Sequence, residues 1–149
     1  MIFLIGIVII LAILAFLLVT GGPKSGGIFY SGSCRRKSLS SETLQKVNQA
    51  LTQISELESL GNPAHLKQAV IDSDKVLSLI LTEQYGERGF VEKMKQAKIR
   101  FSDSRSYENL WQAHKIRNLI AHEIGTEIPS NQLREALGNY RAGISRLIS

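Results

Sequence analysis

The chain has 149 residues, a formal net charge of +5 and a single cysteine. That length holds one domain and an appendage, and one cysteine excludes an internal disulfide and agrees with a reducing compartment. A mean hydropathy of zero averages two unlike parts, so it does not exclude a membrane segment.

The first part is Ile2 to Val19, a run without any charge and apolar apart from Gly6. Such a run is long enough to span a bilayer core and is expected to be a retained transmembrane helix. A cleaved signal peptide is the alternative, but it needs a basic start and a small-residue cleavage site. No basic side chain precedes the run, and Cys34 lies too far downstream for a lipoprotein signal. No Gly-xxx-Gly pair hints at pairing within the membrane. Lys24, Arg35, Arg36 and Lys37 all follow the run, so the positive-inside rule puts the N-terminus outside and the remainder in the cytoplasm. The Arg35–Lys37 cluster suits anionic lipid.

The expected organisation is therefore an anchor over residues 1–20, a flexible basic linker over 21–39, a stalk or accessory helix over 40–61 and a helical bundle over 62–149. The linker expectation rests on the Gly/Ser-rich stretch Gly21 to Ser33. Ser40 or Ser41 caps the next helix, with Glu42 in its first turn. Leu44, Val47, Leu51, Ile54 and Leu57 recur at helical spacing, and Gly61 stops them. This helix reads equally as a stalk or as an element packed on the bundle.

Asn62-Pro63 pairs a capping residue with proline at the first helical position. Leu66, Ala69, Val70, Val76, Leu77, Ile80 and Leu81 then give a long helix its core face, up to Gly86. Asp72 and Asp74 on it read as solvated surface charge, with pairing to Arg117 or metal binding as the other reading. Phe90 to Ile99 is a shorter helix carrying Lys93, Lys95 and Lys98, and 102–106 is a polar loop. A helix follows from Tyr107 to Ile124, capped by Gly125. The last starts at Pro129-Ser130, with Leu133, Leu137, Tyr140, Ile144 and Leu147 as its stripe. No stretch alternates like a strand, so the fold class is all-α.

Chemistry gathers on the penultimate helix, in Trp111-Gln-Ala-His-Lys-Ile-Arg-Asn-Leu-Ile-Ala-His-Glu123. Asn118 and His122 stand at i and i+4 on one face. Arg117 lies about 140° from His122 and His114 about 60° from Arg117, at about 100° per residue. The arc holding Ala113, Ile116, Leu119, Ile120 and Ile124 is expected to pack, leaving a face of imidazole, guanidinium and amide.

This segment resembles the HEPN superfamily, whose signature is an arginine, four to six residues, then a histidine, usually with a polar residue after the arginine. Arg117, Asn118 and His122 match it one by one, and the likeness covers Pro63 to Ser149. The resemblance implies an up-and-down helical bundle that dimerises to bring two motifs into one cleft. It further implies an endoribonuclease leaving a 2′,3′-cyclic phosphate and a 5′-hydroxyl.

The side chains suit that chemistry. Histidine exchanges protons near neutral pH, and the planar arginine fork matches a phosphate. His122 is expected as general acid/base, Arg117 as stabiliser of the phosphate charge and Asn118 as the positioning residue. His114 and Lys115 are candidates to bind substrate. Other sites fail on spacing: Thr126 stands where a zinc protease needs its second histidine after His122-Glu123. Cys34, His65, His114 and His122 lack zinc-finger spacing, and there is no phosphate-binding glycine loop or nucleophile elbow. No metal and no cofactor is expected. From Pro63 onward thirteen Lys/Arg face ten Asp/Glu, an excess that permits RNA binding without arguing for it.

Each residue also has a structural reading. His122 near a helix C-terminus is favourable as a dipole partner, Arg117 can bridge to an acid, and His114 and Trp111 can be packing residues. The alternative function is a non-catalytic helical module that docks a protein or RNA at the cytoplasmic membrane face, its partner unspecified by the sequence.

Overall fold

The computed structural model describes residues 37–122 and 127–149. The expected anchor, most of the linker, and Glu123, Ile124 and Gly125 lie outside the described residues. Among the described residues every regular element is helical, and no helix is long and apolar enough to cross a membrane.

Local chemistry sets the helix ends. α1 (Ser41–Leu60) starts where the Ser40 hydroxyl accepts from the Thr43 backbone N–H, and it ends at Gly61, left-handed at φ 71°. That conformation is strained for any residue with a Cβ. α2 (Pro63–Tyr85) starts at Asn62, whose side chain accepts from His65 N–H at 2.9 Å. α3 (Phe90–Ala97) tightens into a 3₁₀ turn over Lys98–Arg100, so the expected helix to Ile99 changes type before its end. α4 (Ser104–His122) begins within the stretch read as a loop. The cause is Asp103, whose carboxylate accepts from the Ser106 N–H at 2.7 Å and its hydroxyl at 2.8 Å and so satisfies the first-turn donors. α5 (Ser130–Ile148) follows Pro129.

Four long helices run up and down. The backbone N–H of Ser40 donates to Glu83, so the start of α1 meets the end of α2. Gln84 donates to the carbonyl of Leu147 and Arg100 to that of Arg146, which brings the ends of α2 and α5 and the approach to α4 to the same end. α2 is central and packs on every other helix. Its Leu66, Leu77, Ile80 and Leu81 are fully buried, as are Leu110 of α4 and Leu133 and Tyr140 of α5. α1 is packed on the bundle rather than standing off as a stalk. It contributes Val47 and Ile54 to the core, and Glu58 forms an ion pair with Arg141 of α5. Where α4 crosses α5, a Cβ on Gly143 would sit 2.8 Å from the Leu110 methyls, so the missing side chain permits that approach.

Candidate functional site

α4 follows the sequence expectation in part: Ala113 is buried and Ile116 and Ile120 pack against the core, but Leu119 does not. Its buried residues are Tyr107, Leu110 and Ala113, whereas Leu119 is 37% exposed. The inward seam also takes in His114 and Arg117, so two of the four residues expected on a free polar face meet α2, while Leu119 borders solvent. The physical reason lies on α2.

Asp74, read from sequence as surface charge, has a side chain only 9% exposed. It sits one turn from Val70 and Leu77 on the core stripe. Its Oδ1 accepts from the Tyr140 hydroxyl at 2.9 Å and pairs with His114 Nδ1 at 2.8 Å, and its Oδ2 pairs with Arg117 Nε at 3.2 Å. A buried carboxylate needs such partners, and their donors outweigh the aliphatic arc in deciding how α4 rotates. Asp72 does lie at the surface, with Lys75 and Gln68.

Burial, and then the adjacent Asp74 charge, pushes the Tyr140 phenol far above its ordinary value. It therefore stays a neutral donor. Against a carboxylate, the Nδ1 of His114 carries the proton, leaving Nε2 on the other side of the ring. Phe90 of α3 stacks on that imidazole at 4.0 Å with 16° between planes, and Trp111 meets it edge-on. The ring is thus fixed by an ion pair on one edge and an aromatic face.

Arg117 is held at both ends of its fork. Nε belongs to Asp74, and Nη1 donates to Asn118 Oδ1 at 3.2 Å, while the side chain keeps 32% of its surface in solvent. Of the three guanidinium nitrogens, Nη2 is left to meet an anion. His122, the last residue of α4, is exposed and makes no hydrogen bond or ion pair among the described residues. Lys115 is exposed too. Lys115 and Asn118 border a groove of about 700 Å³ between α4 and α5, faced by Glu135 and Asn139 over Ile116 and Ala136.

Of the residues read as a site, the fold joins Arg117 to Asn118 directly and to His114 through Asp74. It does not join His122 to them within one copy of the chain. The pairing of Asp74 with Arg117, the second reading given to that residue, is present, whereas Tyr140 and Phe90 were not read as part of the site. An acid at a core-stripe position was the available signal for Asp74. Nothing in the pattern marked Phe90 as the stacking partner of His114. Among the described residues no group of three or more His, Cys, Asp or Glu side chains is placed to hold a metal ion. Comparison with protein-family models, with curated proteins and with solved structures returns no match.

Proposed function

We propose that this chain is a HEPN-type, metal-independent endoribonuclease that works as a homodimer, anchored through residues 2–19 with its bundle in the cytoplasm. The observation that carries the reading is the tethering of Arg117. Asp74 grips Nε from inside the bundle while the outer part of the guanidinium keeps contact with solvent. Burying an ionic network adds little to stability compared with apolar packing, whereas fixing a guanidinium in advance suits a site where phosphate charge develops.

In the reaction, a His122 imidazole takes the 2′-hydroxyl proton as the 2′-oxygen bonds to phosphorus. The bond to the 5′-oxygen breaks, and that oxygen receives a proton from the second histidine of the dimer. Arg117 balances the charge on the phosphate oxygens. Asn118, already bonded to Arg117, orients it, and Lys115 lies beside Asn118 to meet the RNA backbone. His114 is reassigned in this reading. Its Asp74 pair and Phe90 stack make it a support for Arg117 rather than a substrate ligand. The aliphatic edge at Leu119, unused by the core, is the surface on which a second copy brings the two motifs together.

The test is cleavage of a labelled RNA by the full chain in mild detergent with EDTA, beside His122→Ala and Arg117→Ala. Loss of cleavage in both folded variants supports the assignment. The groove between α4 and α5 favours one other reading, a non-catalytic docking module for a protein or RNA. A dimeric, folded wild type that leaves RNA intact would establish that reading instead.

A further inference from the structure

The charge of the described domain is unevenly placed. The segments 37–46, 82–105 and 145–149 meet at one end of the bundle, tied by Lys37 N–H to Gln84 carbonyl, Ser40 to Glu83, Gln84 to Leu147 and Arg100 to Arg146. They carry nine Lys/Arg and five Asp/Glu, a net +4, while the other described residues carry six and seven, a net −1. Three of the five acids at this end are occupied locally: Glu42 pairs with Lys46, Glu83 accepts from Ser40 N–H and Asp103 from Ser106, while among the cations Lys93 is buried and donates to Thr82. Lys95 and Lys98 are exposed.

The same end displays the most exposed large apolar side chain of the described residues. Ile99, in the 3₁₀ turn, is 87% exposed. The chain also enters the domain here. Lys37 is the first described residue, Arg35 and Arg36 precede it, and seventeen residues separate it from the apolar run ending at Val19.

We propose that this end of the bundle is a docking surface for an anionic phospholipid bilayer. Ile99 enters the headgroup boundary, and Lys95, Lys98 and their basic neighbours meet lipid phosphates and carboxylates. A bare aliphatic side chain ringed by cations suits a bilayer interface. A single-stranded RNA would be met by exposed aromatic faces for stacking, and at this end Phe101 and Tyr107 are buried. The surface stands independently of the nuclease reading and adds an orientation to it. α4 starts at the basic end and rises about 1.5 Å per residue, so it holds His122 about 27 Å from the bilayer, facing the cytoplasm.

The experiment uses the full chain with Cys34→Ser, an environment-sensitive fluorophore on Ile99→Cys or, as control, on Leu119→Cys, and vesicles containing doxyl-labelled lipid. In phosphatidylserine-containing vesicles the probe at 99 is quenched and blue-shifted while the probe at 119 is not. High salt reverses this, and Lys95→Gln with Lys98→Gln lowers the docked-to-undocked ratio about 30-fold, at about one kcal/mol per cation. Absence of quenching at 99, whether or not the chain stays with the vesicles, overturns the proposal. So does equal quenching in neutral phosphatidylcholine, or a spectral shift at 99 produced by RNA and not by anionic lipid.

Discussion

Replacing Asp74 by alanine tests the centre of the structure. The Tyr140 hydroxyl is wholly buried, and losing its acceptor costs about 1–3 kcal/mol. His114 and Arg117 lose a charged partner, but their side chains are 16% and 32% exposed. Water therefore screens and partly replaces those bonds, and about 1 kcal/mol is a fair sum for the two. The total is about 3 kcal/mol, which in a domain of this size lowers Tm by about 12 °C. Thermal and urea unfolding followed by circular dichroism measure it. The companion variant joins Asp74→Leu to Tyr140→Phe, removing the hydroxyl with its acceptor. Apolar packing then replaces the polar pair, and about half of the lost stability returns. In the proposed nuclease, cleavage does not return with it, because Arg117 Nε still lacks its tether. A cost below about 0.5 kcal/mol for Asp74→Ala, as for an ordinary surface site, would refute the reasoning. Additive effects at positions 74 and 140 would refute it equally, since directly bonded residues must couple.

Other perturbations probe the remaining contacts. Gly138→Ala stabilises the bundle by about 0.5–1 kcal/mol, because the position is helical and open. Gly143→Ala instead forces the Leu110 methyls and lowers stability by up to about 2 kcal/mol, and denaturant midpoints separate the two. The bonds from the Ser106 backbone and hydroxyl hold the Asp103 carboxyl below its usual range. Its stabilisation is therefore complete above the ordinary carboxylate pKa and fades as pH falls through the lower folded value. The Tm gap between wild type and Asp103→Ala should be full at neutral pH and close in strong acid; a constant gap would contradict the cap. Phe90→Ala removes the ring stacked on His114, and in the proposed nuclease it should depress cleavage by loosening the support of Arg117, leaving the dimer intact by light scattering.

Helix placement was largely legible because its signals are local. Asn62-Pro63, Ser40 and Gly61 each act on their own backbone, and each sits where expected. The misreading of 102–106 has the same local character: Asp103 was counted as a turn residue, although its carboxylate caps α4. The rotation of α4 was different in kind. Counting apolar residues put Ala113, Ile116, Leu119 and Ile120 inward, and Leu119 alone of these is exposed, because helix facing is also decided by what the neighbour offers, and α2 offers a buried carboxylate. A periodicity argument confined to one helix cannot contain that term. Asp74 broke the apolar stripe of α2 just as His114 and Arg117 broke that of α4. Two breaks forty and forty-three positions apart are the same feature, satisfied only when the helices meet.

That satisfaction leaves the bundle with separate faces. The core-facing side of α4 spends its polar groups on Asp74, so the aliphatic edge at Leu119 is left at the surface beside Asn118 and Lys115. Had α4 packed by its aliphatic arc, Arg117 would have been a mobile surface side chain. Its own desolvation on binding phosphate would then have fallen entirely on the encounter. Held by Asp74, it meets an anion with part of its orientation already fixed, which is the advantage of a preorganised site. Among the described residues His122 has no such partner. In the proposed dimer, removing the Leu119 edge with Leu119→Glu should lose the dimer and cleavage together, while Arg117 stays paired with Asp74. Cleavage that survives in a monomeric Leu119→Glu chain would place the whole reaction within one copy and end the case for two motifs in one cleft.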